Sequence, residues 1–304
     1  MKKTIVLGSV AFDAIETPFE KTDKIIGGAG TYICFAASYF SKPHALAVVG
    51  GDFPQEYISK LEQKGIVIDG IQIKKQEKTF FWSGKYLDNM NQRETLITEL
   101  NVLEHFDPIV PDSYQNADYL MLGNLSPIVQ RQVIERFTKR PKLIVMDTMN
   151  FWMDILFDEL LQTIALVDVI TINDEEARQL SGEYSIPKAA QKIMAMGPKY
   201  VIIKKGEHGA IVFYKNKTFY APAFPLETVI DPTGAGDTFA GGFIGYIAQQ
   251  DKTDFETIKN AIVVGSALAS FTVEHMGTQG IENRTQTEIN ERIAAFKTLT
   301  SYTL

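Results

Sequence analysis

The sequence is poor in cysteine, histidine and basic charge, and it contains no long apolar run. The single cysteine, Cys34, cannot form an internal disulfide, and the four histidines show no spacing typical of metal ligands. Lys and Arg number 30 against 37 Asp and Glu, a net charge of −7, so we expect no nucleic-acid partner. No apolar run reaches the ~18 residues that a membrane-spanning helix needs. We therefore expect a globular protein that binds neither nucleic acid nor a membrane.

The first residues, MKKTIVLGSVAF, superficially resemble a secretory signal peptide, because two lysines precede an apolar run. We favour a buried parallel strand instead. The β-rich run from Thr4 to Leu7 stops at Gly8 and Ser9, as a strand does where it enters a loop. Since nothing downstream requires an oxidising compartment, we expect a cytoplasmic protein.

Short apolar runs alternate with helical stretches along most of the chain, which predicts an α/β fold with a mostly parallel central sheet and helices on both faces. The predicted strands are residues 4 to 8, 45 to 49, 118 to 122, 142 to 147, 168 to 172 and 200 to 204. The predicted helices include residues 30 to 40, 54 to 64, 126 to 138, 174 to 181 and 187 to 196. Strand-like segments at 209 to 214 and 217 to 221 precede a helical region from Gly236 onward. Without a repeat or a low-complexity linker, residues 1 to 304 are expected to form one domain.

Two regions, residues 11 to 26 and 76 to 103, replace this rhythm with amphipathic alternation and polar residues. They predict extra strands outside the main sheet, in a small sheet that covers a cleft as a lid. In FFWSGKY, alternation puts Phe80, Trp82 and Tyr86 on one side of a strand and Phe81, Ser83 and Lys85 on the other. The aromatic rings either stack on a sugar ring or nucleobase, or serve packing.

The stretch DPTGAGDTFAGGF, residues 231 to 243, is a Gly-rich turn that opens directly into a helical pattern. Gly234 and Gly236 allow backbone N–H groups to point inward, and the helix start adds a positive dipole end. The turn Gly234, Ala235, Gly236 therefore predicts an anion site. Asp237, in the first helical turn, can accept the proton of an attacking hydroxyl, for which position matters more than basicity. The alternative is that Asp237 only complements the helix dipole.

The same stretch resembles the C-terminal signature of the ribokinase-like carbohydrate kinase family, also called the PfkB family. Four other segments resemble elements of this family, so that the likeness spans nearly the whole chain: GSVAFD at 8 to 13, GGAG at 27 to 30, NDEEARQLSG at 173 to 182, and KKGEHG at 204 to 209. The resemblance implies a ribokinase-like fold with a small β-sheet lid. It also implies ATP-dependent phosphorylation of a hydroxyl, with Mg²⁺, and Asp237 as catalytic base.

The resemblance also implies roles for individual residues. It assigns contacts with the substrate to Asp13, Gly27 and Gly28. It assigns the nucleotide side to Asn173, Glu176, Lys204, Gly206, Gly209 and Thr233. Glu176 would assist Mg²⁺ through water, and from the residues alone Asn173 and Glu176 also predict a helix capping box. Asp231 and Thr233 would lie in a loop that holds a monovalent cation such as K⁺ through carbonyl oxygens, with help from the segment around Gly277.

This chain departs from the family pattern at Tyr32, where sugar kinases of the family often carry an asparagine. The phenol either bonds a substrate hydroxyl or packs in the helix. Further candidates for substrate contacts are Asn124, after a predicted strand, and Arg93, in the lid. A turn position and an exposed hairpin position are their ordinary alternatives. Because lids of family members commonly pair with a second subunit, the resemblance also implies a homodimer.

We therefore predict a kinase for a sugar or sugar derivative, with a nucleoside kinase of the same fold as the second hypothesis. A ligand-binding regulator without phosphoryl transfer is disfavoured, because Gly234, Gly236 and Asp237 are all intact. A nicotinamide-binding protein is disfavoured, since GSVAFD lacks the later glycines of the dinucleotide fingerprint. No GxxxxGK[ST] sequence occurs, which argues against a P-loop kinase. The acceptor molecule is not specified by the sequence.

Overall fold

The computed structural model describes residues 2–90 and 92–301. Its strands in this part of the chain are β1 (Lys3–Leu7), β2 (Ala11–Glu16), β3 (Ile25–Gly27), β4 (Lys42–Gly50), β5 (Val67–Lys74), β6 (Phe81–Tyr86), β7 (Arg93–Glu99), β8 (Tyr119–Leu122), β9 (Leu143–Asp147), β10 (Val169–Asn173), β11 (Tyr200–Lys204), β12 (Ala210–Tyr214) and β13 (Lys217–Ala221). Its α-helices are α1 (Ala29–Ser38), α2 (Gln55–Gln63), α3 (Pro127–Glu135), α4 (Asn150–Ile155), α5 (Phe157–Ile164), α6 (Asp174–Ser181), α7 (Ile186–Ala195), α8 (Ala235–Gln250), α9 (Phe255–Thr272), α10 (Gln279–Glu282) and α11 (Gln286–Thr300).

Within these residues, the main sheet has nine strands in the order β13-β12-β11-β10-β9-β8-β1-β4-β5. The strands from β11 to β5 are parallel to their neighbours, and β12 and β13 are antiparallel. Alternate side chains of a strand point to opposite faces. Accordingly, Val6 packs into the core beneath α1, α8 and α9, while Ile5 and Leu7 pack into the core beneath α3, α5, α6 and α7. The predicted parallel sheet with helices on both faces is confirmed.

The sequence patterns did not predict β5, α4 or α5. β5 is an edge strand of the main sheet, and its sequence VIDGIQIK lacks a continuous apolar run because much of it stays partly exposed. α4 has only six residues, too few for a clear helical period. The differences at β5 and α4 arise where an element is short or one face of it remains open to solvent.

A second sheet, called the small sheet below, contains β3, β2, β6 and β7 in that order. β2 is antiparallel to β3 and parallel to β6, and β6 is antiparallel to β7. On one face Tyr86 packs with Ile15 and Met276, near Trp82; on the other, Phe81 packs toward Phe12 and the α2 side of the protein. The predicted opposite orientation of Phe81 and the pair Trp82 and Tyr86 is therefore confirmed.

The parallel strands direct their carboxyl ends toward one edge of the main sheet. β1 lies between β4 and β8, so the strand order reverses direction beside it. The loop after β1 is fixed against the start of α1, since Ser9 accepts hydrogen bonds from the backbone N–H groups of Ala29 and Gly30. Ligands of open α/β sheets bind at such a reversal point.

None of the helices in residues 2–90 and 92–301 has the length and hydrophobicity of a membrane-spanning segment.

Candidate active site

The turn before α8 has the backbone geometry of an anion site. Gly234 has a φ of 75°, and a Cβ at this position would lie 2.4 Å from ring carbons of Tyr32, so only glycine fits. The N–H group of Ala235 donates to the carbonyl oxygen of Pro232. The amides of Gly236 and Asp237, in the first turn of α8, have no acceptor within the helix. Amides in this position, at the positive end of a 16-residue helix, suit an anionic ligand.

Asp237 lies in this first turn and has a proton affinity suited to acid–base chemistry near neutral pH. It keeps some exposed surface, but protein surrounds the carboxyl on most sides. Burial, reinforced by the negative charge of Asp147, raises the pKa of Asp237 from 3.8 to about 7, while Lys204 and Arg93 partly offset this rise. A carboxyl with this pKa is partly protonated near neutral pH, whereas a surface aspartate is almost fully ionised there.

Lys204 brings a positive charge to the same turn. Its ammonium group pairs with Asp147 at 2.8 Å, and it would lie 3.1 Å from a Cβ on Gly236. Both partners are largely buried, with side chains 18% and 6% exposed. The carboxylates of Asp147 and Glu176 outweigh the effect of burial, so that the pKa of Lys204 is raised and its charge is maintained.

Asp147 was missed by the sequence analysis. It ends β9, and the backbone N–H of Thr148 donates to its other carboxylate oxygen at 2.8 Å. The available signal was its position, since it directly follows the apolar run LIVM at the end of a buried strand, just as Asn173 ends β10. Its partner Lys204 ends β11, two strands away in the sheet.

Asn173 and Glu176 form the predicted capping box at the start of α6. The Glu176 carboxylate accepts from the backbone N–H of Asn173 at 2.7 Å, and the Asn173 side chain accepts from the N–H of Glu176 at 2.8 Å. Burial raises the pKa of Glu176 to about 7, against an opposing effect from Lys204. The capping role is confirmed, and it holds a second carboxyl close to Lys204.

Asp13 is buried against the glycine pair that precedes α1. A Cβ on Gly27 would lie 1.8 Å from an oxygen of Asp13, so the carboxylate occupies the space that any other side chain would need. Burial, with added effects from Asp231 and Asp237, raises the pKa of Asp13 to about 7, although the N–H group of Gly28 donates to it. Asp13 and Asp237 therefore lie close enough to influence each other.

Tyr32 and Arg93 approach this group of carboxyls from different elements. The Tyr32 ring packs on Gly234, and its hydroxyl is buried without a hydrogen-bond partner among the described residues. Burial and the neighbouring Asp13 hold the pKa of Tyr32 well above its ordinary value. Arg93, on the small sheet, lies over the Trp82 ring at 5.1 Å, and its charge lowers the pKa values of Asp13 and of other site carboxyls.

Asp231 organises the loop that leads into the anion turn. Its carboxylate accepts from the backbone N–H groups of Thr233 and Gly277, each at 2.8 Å. The Thr233 hydroxyl donates to the Tyr86 hydroxyl at 3.2 Å, which connects the loop to the small sheet. The segment around Gly277 thus lies beside the Asp231 loop. The cation site that the family resemblance implies here stays a prediction.

A cavity of about 760 Å³ opens from the anion turn. Its lining includes Lys204, Ala235 and Gly236, the glycines Gly206 and Gly209, and apolar side chains of α8 and α9. The side chain of Asn124 contacts other residues than the acidic side chains of the site. Its amide oxygen accepts from the Trp152 indole at 2.9 Å, and its nitrogen lies 3.0 Å from the Met149 sulfur. Within residues 2–90 and 92–301, no cluster of three or more His, Cys, Asp or Glu side chains is arranged to hold a metal ion.

Comparison with known proteins gives a consistent result. The family described as pfkB family carbohydrate kinase matches residues 1–285. The cytidine kinase of Thermococcus kodakarensis is 28% identical over 254 residues, which cover 81% of this chain and 89% of that protein. The ribokinase of Haemophilus influenzae is 28% identical over 306 residues, which cover 92% and 95% of the two chains. The structure of Arabidopsis thaliana ribokinase complexed with ribose and ATP has a TM-score of 0.78 at 20% identity, over 96% of this chain and 99% of that one.

Proposed function

The chain belongs to the pfkB family of carbohydrate kinases, and from this premise we propose that it transfers the γ-phosphoryl group of ATP to a hydroxyl of a sugar or sugar derivative. Membership confirms the resemblance carried by the motifs and makes the protein a phosphotransferase that acts on hydroxyl groups. One observation carries the finer proposal. Lys204 and Gly236 line the cavity, and Asp237, next to Gly236 in the same turn, lies close enough to Asp13 for their charges to interact.

The proposed reaction is an in-line displacement at the γ-phosphorus. The acceptor hydroxyl lies between Asp13 and Asp237, its oxygen forms the new bond to phosphorus, and its proton passes to the Asp237 carboxylate. The bond between the γ-phosphorus and the bridging oxygen breaks, and ADP leaves. The free amides of the first turn of α8 and the Lys204 ammonium stabilise the charge on the phosphoryl oxygens. Asp237 then releases its proton to solvent.

The nucleotide side of the site fits magnesium bound mainly by phosphate and water. Mg²⁺ prefers oxygen ligands, keeps several waters, and is usually held by one or two carboxylates with substrate phosphates. We propose that Glu176, whose capping contact leaves carboxylate capacity, assists the ion through water, with Asn173 beside it. When bound, Mg²⁺ neutralises negative charge on the phosphates. Gly206 and Gly209, which line the cavity, let the backbone approach the nucleotide.

A monovalent cation such as K⁺ fits the loop that Asp231 organises. The carboxylate of Asp231 is fully buried and fixes both the Thr233 backbone and the Gly277 segment. That arrangement supports a proposal that carbonyl oxygens of this loop hold the ion, adjacent to the anion turn. Such an ion would add positive charge beside the phosphates without entering the reaction.

On the acceptor side, we propose that Asp13 accepts hydrogen bonds from substrate hydroxyls and that Gly27 and Gly28 allow the close approach. Arg93 contributes positive charge from the small sheet, which acts as a lid over the cleft. The buried hydroxyl of Tyr32 has no hydrogen-bond partner within the described residues. We propose that a small shift of the Tyr32 side chain lets this hydroxyl form a hydrogen bond with a substrate hydroxyl. Asn124 stays a further candidate for a substrate contact, with its amide oxygen already engaged by the Trp152 indole.

A nucleoside is the second candidate acceptor, and the small sheet provides the observation that favours it. Trp82 is paired with Asp13 across neighbouring strands, so both side chains lie on the same face of the small sheet. An aromatic ring beside the carboxylate that holds a sugar hydroxyl is well placed to stack on an attached base. The similarity to a cytidine kinase supports this alternative.

We also propose that the protein forms a homodimer through the small sheet. β7 is an edge strand, all seven of its residues are exposed, and Leu96 and Ile97 are 52% and 48% exposed. A long edge strand with exposed apolar side chains is a surface on which another strand can pair. Pairing of two copies through β7 would cover these side chains.

An ADP-release assay with Mg-ATP and a panel of acceptors tests the proposed function. The panel contains free pentoses and hexoses, their phosphates, and ribo- and deoxyribonucleosides, with acceptor-free protein as the baseline. Stimulation by a sugar supports the leading proposal, and stimulation only by nucleosides supports the second. Ligands that raise the thermal stability of the protein without any turnover would instead indicate a binding protein without catalysis. A protein that shows no turnover and is not stabilised by any ligand of the panel would contradict the proposal.

A further inference from the structure

Two turns of the small sheet reach the cavity proposed for the nucleotide, and strand β2 of the same sheet carries Asp13 of the proposed acceptor site. Phe19 lies in the turn between β2 and β3, and Met90 lies in the turn between β6 and β7; both line the 760 Å³ cavity. The same cavity contains Lys204 and Gly236 at its phosphate end. One structural unit therefore contacts the spaces proposed for both substrates.

The Phe19 side chain has no evident role in forming its own turn. The hydroxyl oxygen of Thr17 accepts from the backbone N–H groups of Phe19 and Glu20, at 3.2 and 3.1 Å, and the Thr17 N–H donates to the Glu20 carbonyl at 2.8 Å. These contacts use backbone atoms of Phe19 only. Its side chain remains 62% exposed. Single exposed apolar residues are common on protein surfaces, so its position in the cavity is the informative feature.

The chemistry of the cavity separates into two parts. Lys204 and the first-turn amides suit a charged triphosphate. The same lining includes Phe239, Ala269 and Val273, which offer carbon surface and suit the base and ribose of a nucleotide. An exposed aromatic ring at the rim adds a further apolar surface for the nucleoside portion, because nucleobases stack readily on aromatic side chains.

We propose that Phe19, supported by Met90, is a donor-binding residue that packs on the nucleoside portion of ATP from the small-sheet side. The proposal rests on the assignment of the cavity to ATP. Its consequence is that the small sheet contacts the donor as well as the acceptor. Loss of the Phe19 ring should weaken the binding of ATP but leave the contacts with its phosphates unchanged.

The test is calorimetric binding of the nonhydrolysable analogue AMP-PNP with Mg²⁺ to the wild type and to Phe19→Ala. We expect Kd to rise about tenfold in the variant, which corresponds to about 1.4 kcal/mol. Phe19→Tyr keeps the ring and should bind like the wild type. Inorganic tripolyphosphate lacks the nucleoside and should bind both proteins equally. Ile109→Ala removes a side chain of equal exposure, 63%, that does not line the cavity, and it serves as the matched control.

Equal AMP-PNP affinity in the wild type and Phe19→Ala would overturn the inference and leave the kinase proposal intact. A wild type that binds no adenine nucleotide would instead overturn the assignment of the cavity to ATP. A loss of tripolyphosphate binding as large as that of AMP-PNP would also contradict the inference, because it would mean that the substitution disturbs the phosphate end. In turnover, the KM for ATP should rise while the KM for the acceptor stays the same.

Discussion

Replacing Asp237 by asparagine should inactivate the protein and at the same time stabilise it. The substitution keeps the shape of the side chain but removes the group that receives the proton of the acceptor. Base catalysis contributes about 10²- to 10⁴-fold, so we expect kcat to fall by at least about 100-fold. At about 1.36 kcal/mol per decade, this is roughly 3 to 5 kcal/mol of transition-state stabilisation. Affinity for the nucleotide should change little.

The effect on stability follows from the raised pKa of Asp237. In the folded protein the pKa is about 7, against an ordinary 3.8, because the protein holds the charged form in a buried position. Above pH 7 the folded state therefore carries the cost of a charged carboxylate, and this cost fades as the pH falls from 7 toward 3.8 and the folded state takes up a proton. About three decades of proton affinity set a ceiling of about 4 kcal/mol. Since the side chain is partly exposed and faces Lys204, we expect about 2 kcal/mol.

Thermal unfolding at pH 8 and pH 5, with kcat measured at pH 8, tests both effects. Asp237→Asn should raise Tm by about 4 °C at pH 8, at about 2 °C per kcal/mol for a chain of this size, and by clearly less at pH 5. Asp69→Asn, an exposed change on β5, should alter neither kcat nor Tm. A variant that keeps more than a tenth of wild-type kcat would remove Asp237 from the role of base. A Tm that falls, or rises equally at both pH values, would refute the burial argument.

Four further outcomes are expected. In the wild type, kcat/KM should fall as pH drops through about 7, because Asp237 must be unprotonated to accept a proton; a flat pH profile would contradict this. Lys204→Met should raise the KM for ATP and destabilise the fold by about 3 to 5 kcal/mol, measured by denaturant unfolding, since it leaves Asp147 buried without its partner. Tyr32→Phe should be as stable as the wild type or more so, yet raise the acceptor KM about 3- to 10-fold; an unchanged KM would leave the phenol a packing role. Ile97→Lys should convert a dimer to a monomer in light scattering, and a wild type that is already monomeric would refute pairing through β7.

The local parts of the site were the ones that the sequence could predict. The anion turn and the capping box are each formed by residues within a few positions of one another. The spacing of the glycines therefore predicts the turn, and the N-x-x-E pattern predicts the capping box. The class of the main sheet, mostly parallel with helices on both faces, was likewise predictable, because buried parallel strands read as apolar runs. Prediction was weakest where an element lies at an edge, as β5 does, since partial exposure removes the apolar run.

Contacts between distant parts of the chain leave no comparable pattern. Lys204 and Asp147 are 57 residues apart, and only the parallel order of β9, β10 and β11 brings them together. The packing of Tyr32 on Gly234 joins α1 to α8 in the same way. The sequence shows that Tyr32 departs from the family pattern, but it does not show that the Tyr32 ring packs on Gly234 of the anion turn. Such pairings become visible only once the topology is fixed.

The carboxyls of the site create a conflict that their pKa values help to resolve. Asp13 on the acceptor side, Asp237 in the anion turn and Glu176 on the nucleotide side all contribute negative charge to the proposed site, and three full charges would oppose the binding of an anionic triphosphate. Because burial raises the pKa of each to about 7, the site is partly protonated at neutral pH, and the repulsion is smaller than a count of acidic residues suggests. Catalysis makes the opposite demand, since a protonated Asp237 cannot accept the acceptor proton. Lys204 and Arg93 lower the pKa of Asp237, so the cations that attract phosphate also favour the charged base, and the two demands are met at the same pH.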